Sequence, residues 1–295
     1  MATIRIMFSR FSAFYSPLIC TIAAGYLREE GLDAEYGVAT PDRSAGDAVA
    51  DGSYQVTQYA VSANWSGLEA GRSSSIVHFA QINLMDGFFI AGKGPDPGFS
   101  WDKLAGKRVL VDHGAQPLAM FKYGLHRMGV DFDSIDAIDM GGSDAMEAAF
   151  RARRADYVHL QGPAPQQLEK DGAGHIVASV GEAVGPVAFS SLAATRDWLA
   201  TDMAQAFMRA YRKARAFVIE TPAAEIAKVE QDFFPDTDQE VLAKTIAFYQ
   251  GLGNWHPSVE ISRESYETAL DVFEHSGLIT RRHAYDDVCT APPDA

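Results

Sequence analysis

Cysteine is scarce in this chain. Two are found in 295 residues, Cys20 and Cys289, near opposite ends and with no CxxC spacing. That excludes a disulfide scaffold and a Cys-rich zinc site, and leaves one long-range bridge or two isolated buried thiols. Positive charge is also in short supply: 25 Lys+Arg stand against 39 Asp+Glu, for a formal net charge of −14. The balance argues against nucleic acid, which is gripped through its phosphates by Lys and Arg, and against an anionic membrane surface. No apolar run approaches the ~18–20 residues of a membrane span, so the chain is not expected to insert in a bilayer. A secretory leader is lacking too, because Thr3-Ile4-Arg5-Ile6-Met7-Phe8 already alternates like a strand. As written, the chain is expected in the cytoplasm, or in the periplasm if a leader has been trimmed.

Catalytic motifs are missing in turn. There is no GxSxG elbow, no GxxxxGK[ST] phosphate loop and no GxGxxG after a strand. The histidines show no HxxxH or His-x-His spacing, so neither a metal nor a cofactor is expected. Cys20 falls inside a predicted helix, a poor place for a thiolate nucleophile.

What is present is alternation. Thr3–Phe8, Leu32–Val38, Tyr54–Tyr59, Ser75–Ala80 and Gly87–Ala91 read as strands. Between the first four of them helices are read, the first opening at Ser16-Pro17 and ending at Gly31. After the Gly- and Pro-rich connector Gly92–Gly98, a second series follows: strands over Lys107–Asp112, Ser134–Met140 and Asp156–Leu160, with helices after each. Val187–Ala193 reads as a strand returning to the first unit, and the remainder is mostly helical, with a loose tail after Tyr285. Such alternation predicts an α/β fold, and 295 residues predict two lobes. The expected division is 1–89 and 189–295 for one lobe and 90–188 for the other.

Ligands of open α/β sheets bind beyond the carboxyl ends of the strands. The strand-to-helix turns here are Phe14–Pro17, Ala60–Asn64, His113–Pro117, Gly141–Ser143 and Gln161–Pro163, and none contains Lys or Arg. Small residues, hydroxyls and amides of this kind could hold a polar or anionic group without a dedicated cation, and suit a neutral or zwitterionic molecule better than a dianion; they are also what helix starts require. His113, at a strand's end before Gly114, is the leading titratable candidate, as a hydrogen-bond donor, a general base or a structural histidine. His159 alternates with Val158 and Leu160, so it faces either the cleft or the other side of its sheet. Phe14, Tyr15, Phe189 and Trp255 are placed to stack on a flat solute or to pack in the core.

Three segments carry a resemblance. They are Gly25-Tyr26-Leu27-Arg28-Glu29-Glu30-Gly31-Leu32-Asp33, then Gly52-Ser53-Tyr54-Gln55-Val56-Thr57, then Trp101-Asp102-Lys103-Leu104-Ala105-Gly106-Lys107-Arg108-Val109. Over nearly its whole length the chain resembles the periplasmic-binding-protein-like superfamily of type II topology, in the group of sulfonate, taurine and nitrate binders and thiamine-pyrimidine precursor proteins. The resemblance implies a two-lobe solute-binding protein with its ligand cleft between the lobes, delivering to an ABC permease. By position it implies a cleft lined by Phe14, Tyr15, Ser62, Asn83, His113, Gln116, Gln161 and Phe189, with Trp255 beside them. The group's synthases use a Lys near the third strand's end and a Cys-rich segment in the second lobe. The matching stretches here, Thr57–Ala60 and Gly185–Phe189, have neither, so that chemistry is not supported. The alternative is a cytosolic enzyme on the same fold, acting on a small aromatic or biosynthetic intermediate with His113 as base.

Overall fold

The computed structural model describes residues 1–294. Its strands are β1 (Ala2–Phe8), β2 (Leu32–Val38), β3 (Val56–Tyr59), β4 (Ile76–Asn83), β5 (Phe88–Gly92), β6 (Arg108–Leu110), β7 (Asp136–Ile138), β8 (Tyr157–Gln161), β9 (His175–Ser179) and β10 (Ser190–Thr195). They form two five-stranded sheets, ordered β2-β1-β3-β10-β4 and β7-β6-β8-β5-β9. In each sheet the first three strands run parallel, as βαβ crossovers require, and one strand runs against its neighbours. That strand is β10 in the first sheet and β5 in the second. The chain therefore crosses between sheets twice, through residues 84–87 and 185–189.

These crossovers lie side by side. Val187 donates its amide to the Leu84 carbonyl (2.7 Å), and Leu84 donates to the Asn254 carbonyl (3.0 Å). The Tyr249 hydroxyl donates to Gly87 O (2.8 Å) and accepts from Gly162 N (3.1 Å), so one side chain ties the first crossover to the end of β8. Gly181 is confined to glycine by its neighbour, since a Cβ there would collide with the Asp86 carbonyl.

Local chemistry explains most helix starts. Ser44, Thr201, Asp238 and Ser262 each accept an amide of the first turn with their side chains. Ser16 does not cap the first helix, as the sequence suggested. The cap is Ser12, one turn earlier, and the Ser16 hydroxyl turns inward to Ala13 O (2.7 Å). The expected helix to Gly31 breaks at Gly25, which takes φ +82° between Ser16–Ala23 and Tyr26–Glu29. In the helical return segment, Phe207, Tyr211, Ala214 and Val218 of Asp202–Glu220 are fully buried, the large ones worth roughly 1.5–3 kcal/mol each.

Three sequence expectations are corrected. The segment after Lys170 holds a strand, β9, and a helix, Val180–Val184, that the alternation did not reveal. The returning strand starts at Ser190, so Val187–Phe189 is crossover. The tail is docked: Tyr285–Val288 is helical, Thr290 donates to His78 O (2.9 Å), and Cys289 is buried against β4. Both cysteines are free.

Two acids are fully buried. Asp86, in the first crossover, accepts from Phe88 N (2.6 Å) through one oxygen, and its other oxygen has no partner among the described residues. Glu230 touches Ser16 Oγ (3.1 Å) and Cys20 Sγ (3.8 Å). Because the Ser16 hydroxyl is already donated to Ala13 O, a protonated Glu230 suits this cluster as the donor to Ser16. Burial pushes Asp86 up to about 7 and Glu230 up to about 8. The folded chain thus holds protons that the unfolded chain releases near pH 4, and stability must fall as pH rises through 7 to 8. Thermal melts of Asp86→Asn and Glu230→Gln should show this: the wild type loses several degrees between about pH 5 and pH 9, and the double variant loses much less.

Candidate functional site

The parallel strands of both sheets end facing one another, and between them lies a cavity of about 190 Å³. Ser9 and Arg10 reach it from the end of β1, and Gln58, Tyr59 and Ala60 from the end of β3. Tyr15 enters from the following turn, Phe189 from the second crossover and Ser190 from the start of β10. The second sheet supplies Phe88 from β5, Gln161 from β8, and Gln116 and Pro117 from the start of the Ala115–Arg127 helix. Wider depressions exist elsewhere, such as the one of about 370 Å³ between the Ala164–Lys170 and Gln239–Gly251 helices. They lie away from the convergence of strand ends that ligands of this architecture use.

Its three glutamines divide the work. Gln116 is fully engaged: Oε1 accepts from Ser62 Oγ (2.7 Å) across the cleft, and Nε2 donates to Phe189 O (3.0 Å). Gln58 accepts from the amide (3.1 Å) and hydroxyl of Ser9 through Oε1, so it offers only its NH2 group. Gln161 approaches from the second sheet. Its Oε1 is buried and meets no donor among the described residues. The wall therefore presents Gln58 from one sheet and Gln161 from the other, flanked by the rings of Tyr15, Phe88 and Phe189.

Among the described residues Arg10 is the one cation on this wall. It stands two residues past β1 and ahead of the first aromatic turn, outside the strand-to-helix turns named above. Its guanidinium stands 3.9 Å from the Asp112 carboxylate and is half exposed, so the pair adds little net charge to the cavity.

Of the residues expected at the cleft, Tyr15, Gln116, Gln161 and Phe189 stand on its wall, and Ser62 touches it through Gln116. Phe14, Asn83 and Trp255 are brought together underneath. The Phe14 carbonyl accepts from Asn83 Nδ2 (2.6 Å) and Trp255 Nε1 (3.3 Å), and its ring packs on Phe189 (5.3 Å) and Tyr249 (5.1 Å). All three are buried, and they brace the aromatic turn from within. His113 lies outside the wall, half-buried, with Nδ1 2.8 Å from Val111 O and 3.9 Å from Asp139. His159 is one layer below, sandwiched between Phe88 (4.5 Å) and Phe121 (4.9 Å); burial drives it down to about 3, so it is neutral.

Sequence reading missed Ser9, Arg10, Gln58 and Phe88, along with Ser12, whose hydroxyl donates to Gly162 O (2.8 Å) across the cleft floor. The signal available for the first four was position alone, at or next to a strand end. Among the described residues no group of three His, Cys, Asp or Glu could hold a metal, and no helix is long and apolar enough to cross a membrane.

Known proteins share this architecture. The family model described as "NMT1/THI5 like" matches residues 14–225. A curated relative from Bacillus subtilis, "Putative binding protein YtlA", is 29% identical over 286 residues, covering 94% of this chain and 84% of its own. Among solved structures, the ligand-binding component of an ABC-type import system from Staphylococcus aureus superposes with TM-score 0.77 at 16% identity, covering 99% of this chain and 97% of its own. The periplasmic aliphatic sulphonate binding protein from Escherichia coli superposes with TM-score 0.73 at 15% identity, covering 100% and 94%. At such identities these two report the shared two-lobe fold.

The bond between Ser62 and Gln116 predicts a measurable effect on closure. Ser62→Ala leaves Gln116 Oε1 without its donor and should shift the closed-to-open ratio roughly two- to tenfold toward open. A larger radius of gyration in small-angle scattering is the expected result, with thermal stability nearly unchanged.

Proposed function

The chain belongs to the NMT1/THI5-like family, and from that premise we propose that it captures a small organic molecule between its two lobes and delivers it to an ABC-type permease. The molecule is neutral or zwitterionic and built around a flat ring. One observation carries the reading: the cavity is walled by three aromatic rings and by uncharged amide side chains from both sheets, Gln58 and Gln161 among them. A single ring with polar edges meets both amides, and its faces fit against Tyr15, Phe88 and Phe189. The Arg10–Asp112 pair at the same wall is balanced, which suits a neutral or zwitterionic solute better than a dianion.

Delivery to a permease is supported by the kinship with import-system binding components. It carries with it a place outside the cytoplasmic membrane, where the Escherichia coli sulphonate binder is described as working. A receptor of this kind needs closure and complementarity, and its site needs no group tuned for proton transfer. His113 agrees with that: its Nδ1 stands at hydrogen-bond distance from the Val111 carbonyl, and it lies off the cavity wall.

Mass spectrometry of solute released by denaturing freshly purified protein tests the reading. A single organic compound of one ring, rebound without turnover, is the expected result; consumption of that compound by the purified chain would overturn it. Gln161→Leu removes the second sheet's amide from the wall and should weaken rebinding by roughly ten- to a hundredfold in calorimetry, while the fold is retained.

A further inference from the structure

Two histidines from different lobes face each other at the far end of the helix that carries Gln116. His126 lies near the end of Ala115–Arg127, ten residues and about 15 Å along the axis from Gln116. His275 closes the Arg263–His275 helix, whose Tyr266 and Phe273 pack on Trp65 of the first lobe (5.8 and 4.9 Å). The two imidazoles are 4.4 Å apart between centroids with their planes at 30°, and Tyr123 meets His275 at 5.7 Å. One helix of the second lobe thus bears on the first lobe at both ends, through Ser62–Gln116 and through His126–His275.

We propose that the His126–His275 pair is a pH-sensitive latch on lobe closure. With both rings neutral they stack and the lobes stay shut; with both protonated, two cations at stacking distance drive the helices apart. The inference rests on the reading of the two halves as lobes that open and close.

The surrounding charges support it. From the same helix Lys122 also faces the pair, with Nζ 4.6 Å from the Phe132 ring. Asp131 and Asp133 line the same depression, where the Asp131 carboxylate accepts the Asp133 amide (3.0 Å). On the His275 helix, Glu267, Asp271 and Glu274 are gathered by Arg282 at 2.7 to 2.9 Å, and Arg263 pairs with Asp286 at the opposite end. The Val61–Asn64 turn, also packed against this helix, has no charged residue. Burial, His126 and Lys122 all lower the proton affinity of His275, and no carboxylate offsets them. The field at His275 is therefore positive, and adding protons to the pair works against closure. Since both rings keep contact with water, the effect should be modest and sensitive to salt.

Small-angle scattering of the ligand-free chain, taken from about pH 8 down to about pH 5.5 in low and high salt, tests the latch. The expected result is a shift of roughly two- to fivefold toward the open form at the acidic end, reduced in high salt. His126→Asn and His275→Asn should each abolish most of that shift. Side-chain NMR of the same variants gives a second reading: removing His126 should raise the titration midpoint of His275. A wild-type profile that does not move with pH, variants that keep the full shift, or an unaltered His275 midpoint would each overturn the proposal. A chain that still releases a captured solute but shows no pH response loses the latch alone, and the capture reading stands.

Discussion

Everything about the cleft depends on two crossovers held beside each other by the Val187–Leu84 hydrogen bond. Each crossover hands one strand to the neighbouring sheet, where it runs against the strands beside it. A parallel sheet can then end at the same boundary as its counterpart, with both sets of carboxyl ends turned inward. Had β5 stayed with β4 in the first sheet, the second would lose its link to β8 and β9, and Phe88 would leave the wall. The packing around the crossovers is correspondingly intolerant. Gly181 accepts no side chain against Asp86, and a Cβ on Gly87 would strike the Phe14 ring. Tyr249 closes the arrangement by satisfying a donor in one lobe and an acceptor in the other.

Polar groups inside this frame separate into those spent on structure and those left for a ligand. Asn83, Trp255 and Ser12 are spent on the aromatic turn and the cleft floor. Arg215 is spent on backbone: fully buried, it donates to the carbonyls of Gln81 (2.8 Å), Ile82 (3.0 Å) and His256 (2.5 Å), pinning the Trp255 loop to the end of β4. A buried guanidinium without a carboxylate is tolerable only because several carbonyl dipoles share its charge. Asp86, His159 and Glu230 escape the cost of buried charge differently. Each shifts toward its neutral form, so these three add little fixed charge to the interior despite the chain's −14.

The fold was legible because alternation of strands and helices is a long-range pattern with strong local punctuation. Gly31 before β2 and the Gly- and Pro-rich connector Gly92–Gly98 after β5 are read directly from chain chemistry. Side-chain direction was not. Phe14 and Tyr15 are adjacent in one turn, yet one lies in the core and the other on the wall, and a turn's residue types do not say which. Arg10 and Gln58 were invisible for a related reason: the last residues of a strand and the one after it alternate between wall and core, and single-residue phase is what a sequence pattern fixes least. β9 was missed because His175–Ser179 is a short edge strand, half-buried, without clear alternation. The docked tail rests on Cys289 and Thr290 meeting His78, a contact spanning 211 to 212 residues of chain with no local signal.

Closure can be reversible only if the contacts across the cleft are few. Ser62–Gln116, Ser12–Gly162 and the Arg10–Asp112 pair are such contacts, and the hydrogen bonds contribute roughly 0.5–1.5 kcal/mol each once competition from water is counted. A ligand that bonds to amides of both lobes and buries its faces against three rings adds several kcal/mol to the closed side only. That differential is what moves a two-state equilibrium nearly to completion. Binding is thereby converted into closure: Gln161 belongs to one lobe and Gln58 to the other, and only the shut form lets one small molecule meet both.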